Sequence, residues 1–95
     1  MTEGQRKEIA RLGREHAKSR ARYENAVLLE RKYNEAMEKG ASRFMVDLLD
    51  FDPVIVSNFL SNHTMKRLKV ANDVGIKYIE MLNRVQKEDN HGGNV

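Results

Sequence analysis

Residues 2–39 read TEGQRKEIARLGREHAKSRARYENAVLLERKYNEAMEK: there is no Pro, Gly13 is the one glycine beyond the first turn, and Glu, Lys, Arg, Ala and Leu dominate. All five are strong helix formers, so the stretch predicts one long helix. Ile9, Leu12, His16, Tyr23, Ala26, Tyr33 and Met37 recur at alternating three- and four-residue steps, with Ser19 and Glu30 as polar interruptions. That spacing draws a single apolar stripe along the helix. The stripe is thin before Tyr23 and is widened after it by Val27, Leu28, Leu29 and Ala36. The second half is therefore expected to pack on the rest of the protein while the first extends outward. Gly40 supplies the stop, because glycine accepts the left-handed conformation that follows a helix.

Beyond Gly40, Ser42 can cap a short helix through Asp50 that buries Phe44 or Met45, Leu48 and Leu49. Asp52-Pro53 predicts the next helix start: the carboxylate caps, and Pro at the first helical position sacrifices no needed hydrogen bond. This helix is expected to reach Leu60 or Ser61. Asn62-His63-Thr64 then offers polar caps ahead of a further long helix to Lys87, with Leu68, Ala71, Gly75, Tyr78, Leu82 and Val85 at heptad-like spacing. No strand alternation is present, so the fold class is all-α. One helical domain over 1–88 is expected, comprising a long helix (2–39), a corner (42–61) and a second long helix (64–87). Residues 89–95 read as a disordered tail.

A helix of about 36 residues is about 54 Å long, more than a compact domain of this size covers. The sequence therefore predicts a homodimer or higher assembly with coiled-coil-like packing of the long helices. Tyr23, Tyr33, Leu68, Gly75, Tyr78, Leu82 and Val85 are its expected seam. Gly75 in particular reads as a point of close helix approach, since a glycine inside a helix costs about 1 kcal/mol relative to Ala.

The 95 residues are 40% hydrophobic and 33% charged, with one Pro, three His and no Cys. That composition suits a single folded domain and excludes disulfides and thiolate metal sites. No apolar run approaches a membrane span, and Met1 to Ala10 contains no signal-peptide core, so a soluble cytoplasmic protein with no membrane partner is expected. Asp47, Asp50 and Asp52 lie close in sequence, but Asp52 has a capping role and no His or Glu converges on them. His16 and His63 stand alone, and His91 lies in the tail. No catalytic residue, metal site or cofactor is expected, and the chain does not read as an enzyme.

Net charge is +3, and its distribution carries more information than its size. Residues 1–22 hold seven Lys or Arg against three Glu, residues 41–63 hold Arg43 against three Asp, and positive charge returns with Lys66, Arg67, Lys69 and Lys77. Within the acidic middle, Met45-Val46-Asp47-Leu48-Leu49-Asp50-Phe51-Asp52-Pro53-Val54-Ile55-Val56-Ser57-Asn58-Phe59-Leu60-Ser61-Asn62 resembles the helix-turn-helix of bacterial repressors. Apolar residues stand where two helices would cross (Met45, Leu49, Phe51, Val56, and Phe59 or Leu60). Asp50 occupies the place where the turn usually has glycine.

The resemblance implies a small dimeric DNA-binding regulator. Its base-contacting candidates are Val54, Ile55, Ser57, Asn58 and Asn62, with asparagine suited to adenine and aliphatic groups to the thymine methyl. Arg11, Arg14, Lys18, Arg20, Arg22, Lys66, Arg67 and Lys69 are the candidates for phosphate contact, which needs only clustered cations. A solvated charged face accounts for the same residues without any ligand. The competing expectation is a protein-interaction module, an inhibitor or assembly adaptor, whose acidic, apolar-tipped corner grips a partner protein without nucleic acid.

Overall fold

The computed structural model describes residues 1–40, 50 and 52–93, with side chains as far as Asp89. Two helices make up almost all of it: α1, Glu3–Glu38 (36 residues), and α2, Pro53–Gly93 (41 residues). The all-α expectation is met. The expected short helix over 42–50, with Phe44, Met45, Asp47, Leu48 and Leu49, lies outside the described residues except for Asp50, which is not helical.

α1 starts in a capping box. Thr2 Oγ1 accepts from Gln5 N at 3.1 Å, while Gln5 Oε1 accepts from Thr2 N at 2.9 Å, so two otherwise unpaired amides are satisfied at once. The helix stops where glycine allows it, with Gly40 at φ +91. Asp50 has φ +51, a left-handed conformation that Asp tolerates better than most residues. Asp52 then caps α2: its Oδ1 accepts from Val54 N at 3.0 Å and Ile55 N at 3.4 Å, and Pro53 takes the first helical position.

The expected break at Asn62-His63-Thr64 is absent, and α2 passes through all three residues. Polar side chains end a helix only when they take up its unpaired backbone groups, and here they find other partners. Thr64 Oγ1 lies 3.0 Å from Leu60 O and 3.3 Å from Glu30 Oε1, so its single hydroxyl hydrogen has an acceptor inside the helix or across the seam. The His63 ring stacks one turn above Phe59, with centroids 6.4 Å apart and planes at 5°. At the other end, the backbone stays helical through Gly93 where a disordered tail is expected from Asp89 onward.

The helices pair antiparallel. Gln5 Nε2 donates to Glu88 Oε2 at 2.6 Å near one end, and Tyr33 Oη donates to Pro53 O at 3.0 Å near the other. Between them the side chains turned inward recur at three- and four-residue steps: Leu12, His16, Ser19, Tyr23, Ala26, Glu30 and Tyr33 on α1, and Leu60, Thr64, Arg67, Ala71, Val74, Tyr78, Met81 and Val85 on α2. The polar members are accommodated, Ser19 by donating from Oγ to His16 O at 2.9 Å and Glu30 by Thr64.

The seam is tight where its residues are small. A Cβ placed on Gly75 would lie 3.0 Å from His16 Nε2, and one on Gly13 would lie 3.3 Å from the Tyr78 ring. The close approach expected at Gly75 is therefore present, but its partner is the chain's own first helix. Tyr23, Tyr33, Gly75, Tyr78 and Val85, assigned by sequence to a seam between chains, are taken up inside one chain instead. Of the seven expected seam residues, only Leu82, at 38%, is exposed; Tyr23, Tyr33, Leu68 and Tyr78 are half-buried. The physical reason is length: α2 is long enough to cover α1 by itself.

The result is a rod of 74 × 18 × 16 Å. Its Cα radius of gyration is 21.0 Å, against about 12 Å for a compact chain of this length. Leu12, Ala26, Ala71 and Val85 are its buried apolar residues among those described, and none is sealed off completely.

Candidate nucleic-acid interface

Every basic residue of α1 outside the seam must project to one flank or the other. Lys7, Arg11, Arg14, Lys18 and Arg22 follow at steps of four, three, four and four residues, so they form one cationic row running up a single flank. All five are exposed. On α2, Lys66, Lys77 and Arg84 repeat at eleven and seven residues and share a flank in the same way. The two rows meet on one side of the rod, where Arg11, Lys77 and Arg84 line a common hollow with Glu8 and Glu80.

Within that row the charges are not equivalent. Arg11 is held between Glu8 and Glu15, its Nη1 donating to Glu15 Oε1 at 2.7 Å and its Nε to Glu8 Oε2 at 3.1 Å. The hydrogen bond from Arg11 holds the Glu8 carboxyl below the usual carboxylate range, and the same bond raises Arg11 further above its ordinary value. Arg11 is thus partly neutralised. No ion pair holds Arg14, Lys18 or Arg22 among the described residues.

The structure separates the sequence-derived phosphate candidates. Arg11, Arg14, Lys18, Arg22 and Lys66 share the cationic flank. Arg20 sits on the other side of α1, 3.9 Å from Glu24; Arg67 is half-buried at the seam, and Lys69 projects from the back of α2. Lys7, Lys77 and Arg84 join the flank although the sequence does not single them out for it; the four- and seven-residue spacing of the cations is the signal that could have found them.

The base-contact candidates stand at the start of α2, and Val54, Ile55, Ser57, Asn58 and Asn62 are all exposed. Ile55, Asn58 and Asn62 recur at three and four residues and share a face with Lys66 and Lys69, whereas Val54 and Ser57 turn to the neighbouring flank. Val54, Ile55 and Phe59 are each about two-thirds exposed (66, 65 and 67%), so this end of the rod is apolar at its tip.

Among the described residues no group of three or more His, Cys, Asp or Glu could hold a metal ion, and no helix is long and apolar enough to cross a membrane. Comparison with protein-family models, curated proteins and solved structures finds no match to this chain.

Proposed function

We propose that the protein is a small DNA-binding regulatory protein that lays the cationic flank of its hairpin along the sugar-phosphate backbone. The observation that carries this reading is the alignment of Lys7, Arg14, Lys18 and Arg22 with Lys66, Lys77 and Arg84 on one side of a straight rod. Phosphate contact requires clustered cations free to release counterions, and Arg14, Lys18 and Arg22 have no carboxylate partner among the described residues. Asn58 and Asn62 are the residues suited to base edges, and the positive φ of Asp50 suits the tight turn of a helix-turn-helix entering α2. The reading includes a homodimer and a cytoplasmic location, and assigns no catalysis.

A salt-titrated duplex-binding measurement tests it. Arg14→Ala combined with Lys18→Ala weakens binding to every sequence and flattens the slope of log affinity against log salt by about two. Arg20→Ala, on the far side, leaves both unchanged, and Asn58→Ala relaxes preference at one base pair. Failure to retain any duplex at low salt overturns the reading. The exposed tip of Val54, Ile55 and Phe59 favours a second one, capture of a partner protein by the start of α2. In that case Ile55→Asp abolishes capture and the Arg14/Lys18 pair is silent.

A further inference from the structure

α2 carries a second row of side chains, outside the seam. Met65, Leu68, Asn72, Ile76 and Ile79 follow at steps of three, four, four and three residues, so they occupy one flank. Leu68 is half-buried, while Met65, Ile76 and Ile79 are 62, 54 and 56% exposed. The spacing reads the same in both directions about Asn72, and so does the chemistry: two apolar residues on each side, then Ser61 and Asn83 one turn beyond.

A row with this property is complementary to itself when reversed. We propose that it is the contact surface for a second copy of the chain, docked antiparallel with a two-fold axis beside Asn72. Met65 then meets Ile79 of the other copy, Leu68 meets Ile76, and the two Asn72 amides face each other, each able to donate and accept. A polar pair within an otherwise apolar seam sets the register. Met65, Lys66, Leu68, Lys69, Asn72 and Asp73 line a shallow hollow beside the row, open to receive the isoleucines of the other copy.

Charge fits the same arrangement. Lys69 and Asp73 lie along one edge of the row, and antiparallel docking brings that edge against its own copy. Each Lys69 then stands about 3 Å along the axis from the opposite Asp73, giving two reciprocal pairs. Area fits as well. A folded monomer of 11.0 kDa exposes about 5,600 Å², and this chain exposes 7553 Å². The excess of about 1,900 Å² comes with the rod shape and leaves room for the roughly 800 Å² each partner gives to a standard interface.

Met65, Leu68, Asn72, Ile76 and Ile79 lie off the line of Lys66, Lys77 and Arg84, but Lys66 and Asp73 border both surfaces, so self-association is read on the protein alone, without DNA. The chain has no Cys, which makes single-cysteine variants unambiguous. Sedimentation equilibrium at micromolar concentration should give twice the chain mass, and Asn72→Cys should form a disulfide-linked dimer on mild oxidation. Ser61→Cys should not, because the two copies of residue 61 would be about 33 Å apart at 1.5 Å per residue. Ile76→Lys should raise the dissociation constant about a hundredfold, and the mass should fall to that of one chain whether or not the released chain stays helical. A monomeric wild-type protein overturns the proposal, as does a dimer in which Asn72→Cys does not cross-link.

Discussion

The inward faces of α1 and α2 are alike, and their outward faces are not. Both helices meet through side chains at alternating steps of three and four, with the small Ser19 and Ala26 on one and Ala71 and Gly75 on the other allowing close approach between larger residues. α1 carries sixteen Asp, Glu, Lys or Arg among its 36 residues, all but Glu30 outside the seam, and exposes only Leu28 and Leu29 as large hydrophobics. α2 carries ten charges among 41 residues, all but Arg67 outside the seam, and exposes eight large hydrophobics from Val54 to Leu82. Packing requirements explain the likeness. The difference is not required by the hairpin, since a fully charged α2 could make the same seam, so the outer face of α2 is where a partner must be sought.

Breaking the shared seam has the largest effect. Val85→Asp places a carboxylate at a site 5% exposed. It should cost several kcal/mol, read as loss of helicity or a collapse of the urea midpoint. Leu28→Lys on the outer face of α1 should leave melting and mass alike unchanged, which separates the two faces directly.

Gly75 sharpens the account of close approach. An added methyl at 3.0 Å from His16 must displace the imidazole, offsetting the gain of about 1 kcal/mol from better helix propensity. Gly75→Ala should therefore be neutral or destabilising in the wild type and stabilising by about 1 kcal/mol in a His16→Ala background, a coupling read from a double-mutant cycle.

The two start signals give smaller and comparable losses. Asp52→Ala and Thr2→Ala should each cost about 1 kcal/mol in thermal melts, through the lost caps of α2 and α1. The smallest effect is electrostatic. The Glu8 carboxyl is held low by Arg11, so its contribution is present above the ordinary carboxylate pKa and is lost as pH falls through the depressed value. Arg11→Ala should flatten that acid-side slope of a pH-stability profile by slightly lowering the midpoint at neutral pH, with no change below the depressed value.

Signals confined to single residues are legible in the amino-acid sequence alone. Gly40 has one favourable role after a long helix, and Asp52-Pro53 has one at a helix start, so local chemistry identifies both. Thr2 and Gln5 carry an equally local signature, S/T-x-x-Q, that the apolar pattern behind it overshadows. Asn62-His63-Thr64 is ambiguous because the same hydroxyl and imidazole that could cap an end can also be satisfied in mid-helix by Leu60 O and Phe59. The seam is ambiguous for a deeper reason. Periodicity at Tyr23, Tyr78 and Val85 says that a matching stripe exists and not which chain supplies it; only the uninterrupted length of α2 decides that. The cationic flank depends in turn on how the helices are rotated about the seam, and Arg20 parts from Arg22 on that ground alone.

An antiparallel hairpin also orders its own assembly in time. Contacts near the connection join residues 20 apart in sequence, as Tyr33 and Pro53 do, while Gln5 and Glu88 at the open end are 83 apart. Closing the far contact first would cost about 1.2 kcal/mol more chain entropy, two doublings of loop length, with no neighbouring contact in place to repay it. Pairing therefore starts beside Glu30 and Thr64 and zips toward the termini, each turn shortening the loop that the next must close. The same gradient governs reopening: the rod frays from its open end inward, so the protein behaves as a zipper of graded protection instead of a single cooperative block.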